Sequence, residues 1–75
     1  MTPYRNINGD SGVSAFEYGE DYIRVLFNTG AQYLYTNQSA GRENIECMKK
    51  LAAQGDGLNA FINTKVKKLY AQKER

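Results

Sequence analysis

The stretch that decides the fold is Tyr22-Ile-Arg-Val-Leu-Phe-Asn-Thr-Gly-Ala-Gln-Tyr-Leu-Tyr-Thr36. Along its first half, Ile23, Val25 and Phe27 occupy every second position, which is the period of a half-buried strand. Asn28-Thr29-Gly30 then provides three loop residues with glycine last, which suits a type I turn followed by a left-handed glycine. The stretch therefore predicts a β-hairpin.

The turn also sets the register of this hairpin, because a loop of known length decides which residues face each other. It places Val25 opposite Tyr33 and Phe27 opposite Ala31, and directly opposed side chains share a face. The face without a charged group is the better candidate for the core. That face carries Ile23, Val25, Phe27, Ala31, Tyr33 and Tyr35, and the other carries Tyr22, Arg24, Leu26, Gln32, Leu34 and Thr36.

A further strand is predicted before the hairpin, at residues 13–18, with Gly19-Glu20-Asp21 as the connecting loop. A three-residue loop puts Phe16 and Tyr18 on the second face of the sheet, and a four-residue loop reverses this. The sequence leaves both arrangements open. Residues 1–12 are polar and rich in turn formers, which indicates a flexible lead-in.

After the hairpin, residues 37–41 break the strand pattern and the period of the apolar residues becomes helical. A first helix is predicted at residues 42–54, with Ser39 as a candidate N-cap, and a second at residues 58–73. Gly55-Asp56-Gly57 is a strong stop signal between them. The apolar stripes are Ile45, Met48, Leu51 and Ala52 in the first helix, and Leu58, Phe61, Ile62, Val66, Leu69 and Tyr70 in the second.

These elements predict an α+β fold, a three-stranded antiparallel β-meander followed by two α-helices packed on one face (βββαα). The single domain is expected to span residues 13–73. The chain has 75 residues, which suffices for one modest core.

The composition and the first residues of the chain indicate in which cellular compartment the protein is expected. No apolar run approaches the roughly 20 residues that cross a bilayer, and the first residues, Met-Thr-Pro-Tyr-Arg-Asn, show no apolar segment of a signal peptide. We therefore expect a cytoplasmic protein with no membrane association. The single cysteine, Cys47, has no partner for an internal disulfide and is expected to be a small hydrophobic residue near the core.

The sequence contains few of the residue combinations that enzymes use for catalysis. The chain has no histidine, so it has no Ser-His or Cys-His pair and no histidine metal ligand. Glu20 and Asp21 fall in a tight loop, where solvated carboxylates are normal. Gly55-Asp56-Gly57 is better explained as a turn between helices than as a phosphate cradle. The sequence predicts a non-catalytic protein without metal or cofactor.

A binding role is suggested by tyrosines and lysines together. Residues 1–46 carry a net charge of −3 and residues 47–75 carry +5, and the chain has six tyrosines. Aromatic rings beside cations hold single-stranded nucleic acid in several small domains. The competing interpretation is a solvated lysine-rich helix end and tyrosines that favour strands. The candidate nucleic-acid-binding residues are Tyr18, Tyr22 and Arg24 on the open sheet face and Lys65, Lys67 and Lys68 on the second helix.

The order of motifs over about residues 13–71 resembles the KTSC domain family, named for its occurrence at the C-terminus of some lysyl-tRNA synthetases. A Phe-x-x-Gly turn leads to Tyr-x-Tyr, and a helix and a glycine-centred break lead to Phe-aliphatic-Asn-x-x-aliphatic-Lys-x-x-Tyr. Ala53 and Gly57 suit the break of the family, although Gly55 stands where serine is usual. The motif residues, which we expect to be structural, are Phe27, Gly30, Tyr33, Tyr35, Phe61, Asn63, Val66 and Tyr70.

The resemblance implies a small stand-alone protein of bacterial or phage type. The family has no established activity, and its association with a synthetase implies RNA as a partner. Our first hypothesis is therefore a small module that binds single-stranded or structured RNA. The alternative is a protein–protein interaction module that acts through the open sheet face or an exposed strand edge.

Overall fold

The predicted hairpin is the centre of an antiparallel five-stranded sheet in the computed structural model, which describes residues 1–5 and 12–75. The strands lie in chain order and the helices follow the fourth strand, so the domain is a small α+β fold. The elements are β1 (Thr2–Pro3), β2 (Val13–Tyr18), β3 (Tyr22–Phe27), β4 (Gln32–Thr36), α1 (Asn37–Ala40), α2 (Arg42–Gln54), α3 (Leu58–Phe61), a π-helical segment (Ile62–Val66) and β5 (Gln72–Lys73).

The register predicted for the hairpin is confirmed. Val25 pairs with Tyr33, and the N–H of Phe27 donates to the carbonyl of Ala31 at 2.8 Å. Gly30 has φ +92°, the left-handed conformation that the turn requires and that glycine adopts without steric cost. Ile23 and Val25 are fully buried, so the face predicted as the core is the core.

The open question about the first loop is resolved by the pairing of β2 with β3. Tyr18 pairs with Ile23 and Phe16 with Val25, as the four-residue loop requires. Phe16 is buried, whereas Tyr18 is 48% exposed at the margin of the same face. Tyr18 therefore lies on the helix side of the sheet, and its prediction as a neighbour of Tyr22 on the open face is wrong.

The beginning of the chain belongs to the fold. Thr2–Pro3 pairs with β2, and the N–H of Tyr4 donates to the carbonyl of Ser14 at 3.0 Å. The Tyr4 ring is buried, and its hydroxyl accepts a hydrogen bond from the N–H of Leu58 at 3.3 Å. The flexible lead-in expected over residues 1–12 is thus replaced by structure at its start, and the rest of it, residues 6–11, lies outside the described residues. A lone tyrosine among polar residues produces no periodicity that would reveal it.

Helix α2 has the predicted bounds, but the segment that leads into it differs from the prediction. Ser39 is not the N-cap of α2; it belongs to α1, a short helix within the predicted break. Thr36 caps α1, with its hydroxyl accepting the N–H of Ser39 at 3.1 Å while the Ser39 hydroxyl accepts the N–H of Thr36 at 3.0 Å. This reciprocal capping box ties the end of β4 to the first helix.

Helix α2 ends at Gly55, which has φ +77° and donates its N–H to the carbonyls of Leu51 and Ala52. Glycine is needed here for a second reason, because a Cβ would clash with the side chain of Arg5. The N-terminal segment is therefore packed against the turn between α2 and α3.

The second predicted helix is too long. Its helical structure stops after Val66, where the N–H of Leu69 bonds the carbonyl of Val66, and Gln72–Lys73 forms β5 against β4. The N–H of Ala71 donates to Leu34 at 2.7 Å, so the chain end covers the backbone edge of β4. Leu69 and Tyr70, expected on the buried stripe, are 40% and 39% exposed because they lie beyond the helix.

One core lies between the sheet and the helices. It is formed by side chains from the sheet, from α1 and α2 and from the segment after Gly57, together with Tyr4. The buried members are Tyr4, Val13, Phe16, Ile23, Val25, Tyr35, Ala40, Ile45, Met48, Ala52, Leu58, Ile62 and Val66.

Candidate functional site

A cleft of about 460 Å³ opens where the turn of the β3–β4 hairpin meets the π-helical segment. We call it the aromatic cleft. Its volume lies in the range of clefts that hold small ligands, about 300–1,000 Å³. The residues that line it are Gly12, Phe27, Asn28, Thr29, Ala31, Tyr33, Tyr35, Ile62, Asn63, Lys67, Lys68 and Tyr70.

Tyr33 is the centre of a group of rings in this cleft. Its ring centroid lies 4.9 Å from that of Tyr70, 5.7 Å from that of Phe27 and 6.4 Å from that of Tyr35. The Phe27–Tyr33 pair is edge-to-face, a favourable arrangement for aromatic quadrupoles. Because Tyr70 is partly exposed, the group presents aromatic surface to solvent instead of closing into the core.

Tyr35 forms the buried wall of the cleft. Burial, with smaller effects from Tyr33 and Tyr70, raises the pKa of its phenol to about 12. The phenol therefore stays neutral throughout the physiological pH range. The Tyr35 side chain is buried in the core cluster.

Three lysines lie at the cleft or against its rings. Lys67 and Lys68 are exposed and line the cleft just after the π-helical segment. The Nζ atom of Lys73 lies 5.9 Å from the centroid of the Tyr33 ring, a cation–π distance. Lys65 is also exposed but does not line the cleft. Of the three lysines predicted on the second helix, the fold therefore brings two to the aromatic cleft.

Asn63 adds an amide to this cleft. It is exposed and lies on the π-helical segment. Within residues 1–5 and 12–75, its side chain forms no hydrogen bond. The amide is thus available to a ligand.

The open face of the sheet has a different character. Arg24 forms ion pairs with Glu17 and with Glu74, each at 2.7 Å, and its guanidinium carbon lies 5.5 Å from the centroid of the Tyr22 ring. Gln32 also donates to the Glu74 carboxylate at 2.8 Å. The structure does place Tyr22 and Arg24 together, as predicted, but a phosphate would have to compete with two carboxylates for this guanidinium.

This network of hydrogen bonds and ion pairs shifts the pKa values of Arg24 and Glu74. The hydrogen bond that Arg24 donates to the Glu74 carboxylate is the main reason that the pKa of Arg24 is raised. Hydrogen bonds from Gln32 and then Arg24 lower the pKa of Glu74. Since β5 is only two residues long, these side-chain bonds help to hold the chain end on β4.

Replacing Glu74 by glutamine tests this network through its pH dependence. A carboxylate whose folded pKa is lowered contributes stability above its unfolded pKa and loses it as the pH falls through the folded pKa. We expect Glu74→Gln to lower stability by about 0.5 to 1 kcal/mol at pH 7, and the difference from wild type to shrink towards pH 3. Urea denaturation at several pH values measures this.

The control for that experiment is Glu43→Gln, an exposed carboxylate on α2 that forms no ion pair within the described residues. Its effect should be small at every pH. A Glu74→Gln difference that is the same at pH 7 and pH 3 would contradict the assignment of the network.

Tyr18 lies apart from both of these groups. Its ring stacks with that of Phe16 at 6.1 Å, and the Nζ of Lys49 lies 5.6 Å from its centroid. The same Lys49 donates to the Glu20 carbonyl and to Glu46, each at 2.9 Å. Five of the predicted site residues are therefore divided among three places in the fold, and Lys65 lies outside all three.

The cleft is also lined by Tyr33, Tyr70 and Asn63, to which the sequence analysis gave a structural role, and Lys73, which it did not name, lies against the Tyr33 ring. The predicted register of the hairpin already placed Tyr33 on the helix side of the sheet. The sequence did not show that the last helix ends after Val66, and this early end leaves Tyr70 partly exposed beside Tyr33.

Within residues 1–5 and 12–75, no group of three or more Cys, Asp or Glu side chains has the arrangement of a metal site. Nor does any helix in those ranges have the length and apolar character needed to span a membrane. Comparison of the chain with family models, curated proteins and solved structures found no match. The resemblance to the KTSC family thus stays a prediction.

Proposed function

We propose that this protein is a small non-catalytic module that binds single-stranded nucleic acid, RNA above all, through the aromatic cleft. The observation that carries the proposal is the arrangement of Tyr33 and Tyr70 beside Lys67 and Lys68 in one cleft. This moves the binding surface from the open sheet face to the helix side of the hairpin.

The rings supply the surface for a base. Stacking of a base on an aromatic side chain is worth about 1–3 kcal/mol and tolerates any sequence, because every base has a π-face. Tyr70 is the exposed member of the group, and its contact with Tyr33 holds it at the cleft. A base that leaves its own strand can therefore exchange stacking on neighbouring bases for stacking on Tyr70.

The lysines supply the counter-charge for the backbone. Lys67 and Lys68 line the same cleft as the rings, and the Nζ atom of Lys73 lies 5.9 Å from the centroid of the Tyr33 ring. Phosphates flank every base of a strand, so cations around an aromatic surface match the chemistry of a nucleotide unit. A duplex keeps its bases stacked inside, and for this reason the cleft suits single strands or loops.

The alternative, a protein-interaction module, has less support from the contacts. The two edge strands β1 and β5 have two residues each, and Pro3 has no N–H to offer to a partner strand. Short edge strands are a common way to prevent strand addition. On the open face, the central cation, Arg24, is already paired with two carboxylates.

Titration with a fluorescein-labelled single-stranded RNA octanucleotide tests the proposal, with the DNA octanucleotide of the same sequence alongside. Three lysine contacts on a single strand predict a slope of about −2 for log K against log salt, or roughly a 20-fold loss of affinity between 50 and 200 mM salt. Absence of binding to both probes at 50 mM salt would refute the proposal. Light scattering of the free protein would then be used to look for self-association instead.

A further inference from the structure

We propose that Glu74, whose carboxylate lies on the open face of the sheet, is a positioning residue for nucleic-acid binding in the aromatic cleft on the other face. Its ion pair with Arg24 and its hydrogen bond from Gln32 hold the C-terminal segment, residues 67–75, on β4. This inference rests on the proposed function, since it concerns the same site. It goes further in coupling the affinity of the cleft to a carboxylate outside its lining.

The C-terminal segment supplies most of the chemistry that the proposed function needs. Lys67, Lys68 and Tyr70 line the cleft, and the Nζ atom of Lys73 lies 5.9 Å from the centroid of the Tyr33 ring. Tyr33 itself belongs to the hairpin, so the cleft has two walls from separate parts of the chain. The site is complete only while the segment is held against the hairpin.

The attachment of this segment has little apolar support. Across residues 67–75, all of which the structure describes, every residue except Glu74 is exposed. Strand β5 has only two residues, and the N–H of Ala71 donates to the Leu34 carbonyl at 2.7 Å. A segment with few buried apolar contacts opens locally at low cost. The side-chain bonds of Glu74 are therefore a large part of what holds it in place.

Strand geometry explains how one short segment reaches both faces of the sheet. Lys73 is paired with Tyr33, so the two side chains share the helix side. Successive residues of a strand point to opposite faces, and Glu74 therefore lies on the open face. There its carboxylate accepts from Arg24 at 2.7 Å and from Gln32 at 2.8 Å. The contact that fixes Glu74 thus also fixes Lys73 at the cleft.

Loss of the Glu74 carboxylate has two consequences of opposite sign for RNA binding. The apparent affinity of a ligand falls with the fraction of molecules in the binding-competent state, so a less firmly held segment weakens binding. Removal of a negative charge, in contrast, favours binding of a polyanion. The direction of the change therefore shows whether positioning or net charge governs the affinity.

Glu74→Ala is expected to bind the labelled RNA octanucleotide about fivefold more weakly than wild type at 50 mM salt. The matched control is Glu17→Ala, which removes the same charge and also an ion pair to Arg24 at 2.7 Å, but from β2. Its affinity should equal or slightly exceed that of wild type. Fluorescence anisotropy measures the affinities, and thermal melts confirm that both variants are folded.

Amide hydrogen exchange of the free protein gives a readout that does not depend on RNA. The Ala71 N–H, which bonds the Leu34 carbonyl, is released when the segment leaves β4. Its exchange should be about fivefold faster in Glu74→Ala and unchanged in Glu17→Ala, because local opening breaks the contact of Arg24 with Glu74 alone. A general loss of stability would not separate these two variants.

The outcomes distinguish this role from the proposed function. If wild type binds the octanucleotide and Glu74→Ala binds it as tightly as Glu17→Ala, the role of Glu74 is overturned and the proposed function stands. Exchange of the Ala71 N–H at the wild-type rate in Glu74→Ala also overturns the role. If wild type itself does not bind the RNA or DNA octanucleotide at 50 mM salt, the proposed function fails and this role falls with it.

Discussion

Replacement of Tyr4 by alanine is expected to destabilise the domain by about 3 to 5 kcal/mol, the usual cost of removing a buried aromatic side chain. The ring is 6% exposed and belongs to the core, and its hydroxyl accepts the N–H of Leu58 at the start of α3. A chain of this length has a total stability of roughly 4 to 11 kcal/mol. The substitution is therefore expected to remove roughly half of the stability of the domain.

Urea denaturation followed by circular dichroism measures this effect. Tyr4→Phe keeps the ring and removes only the acceptor of the Leu58 N–H, so a loss of about 1 to 3 kcal/mol is expected from it. Tyr18→Ala is the matched control, because Tyr18 is an exposed tyrosine on a strand of the same sheet. If Tyr4→Ala and Tyr18→Ala cost the same small amount, the N-terminal segment is not part of the core.

Reversal of charge at both Lys67 and Lys68 is expected to weaken RNA binding on the order of 100-fold at low salt. Each substitution by glutamate removes an attraction to phosphate and adds a repulsion. Loss of two of the three lysine contacts should change the slope of log K against log salt from about −2 to about −0.7. Both side chains are exposed, so the fold should tolerate the change. Anisotropy titration of the labelled RNA octanucleotide measures affinity and slope together.

The control is the double variant Arg42→Glu/Lys50→Glu, which changes the net charge by the same amount. Arg42 and Lys50 both lie on α2, are exposed and are outside the cleft lining. Only a small loss is expected from this variant, because it removes no cation from the cleft in which the phosphates would bind. An equal loss from the two double variants would show that binding depends on overall charge and would exclude the aromatic cleft as the interface.

The centre of the sheet was predictable because its signals are local. Three loop residues ending in Gly30 determine which residues of β3 and β4 oppose each other, and the alternation of Ile23 and Val25 then selects the buried face. The bounds of α2 were predictable for the same reason, since a helical period of apolar residues ends at a glycine.

The ends of the chain were not predictable in this way. Tyr4 enters the core by packing against elements far along the chain, and no periodicity surrounds it. The last helix ends early because the backbone edge of β4 provides partners for Ala71 and Glu74, whereas the sequence pattern of the helix continues to Tyr70. In both places a long-range contact outweighs local preference.

The candidate site shows the same division. The sequence by itself determined the chemistry, with tyrosines and lysines in number and no histidine, and it determined that Tyr33 lies on the helix side of the hairpin. Only the tertiary structure decided which of these side chains meet. It paired Arg24 with carboxylates, placed Tyr18 apart, and brought Tyr70, Asn63 and two lysines to the aromatic cleft. The physical reason is that turn geometry and periodicity act between near neighbours, whereas a site depends on where separate elements end and pack.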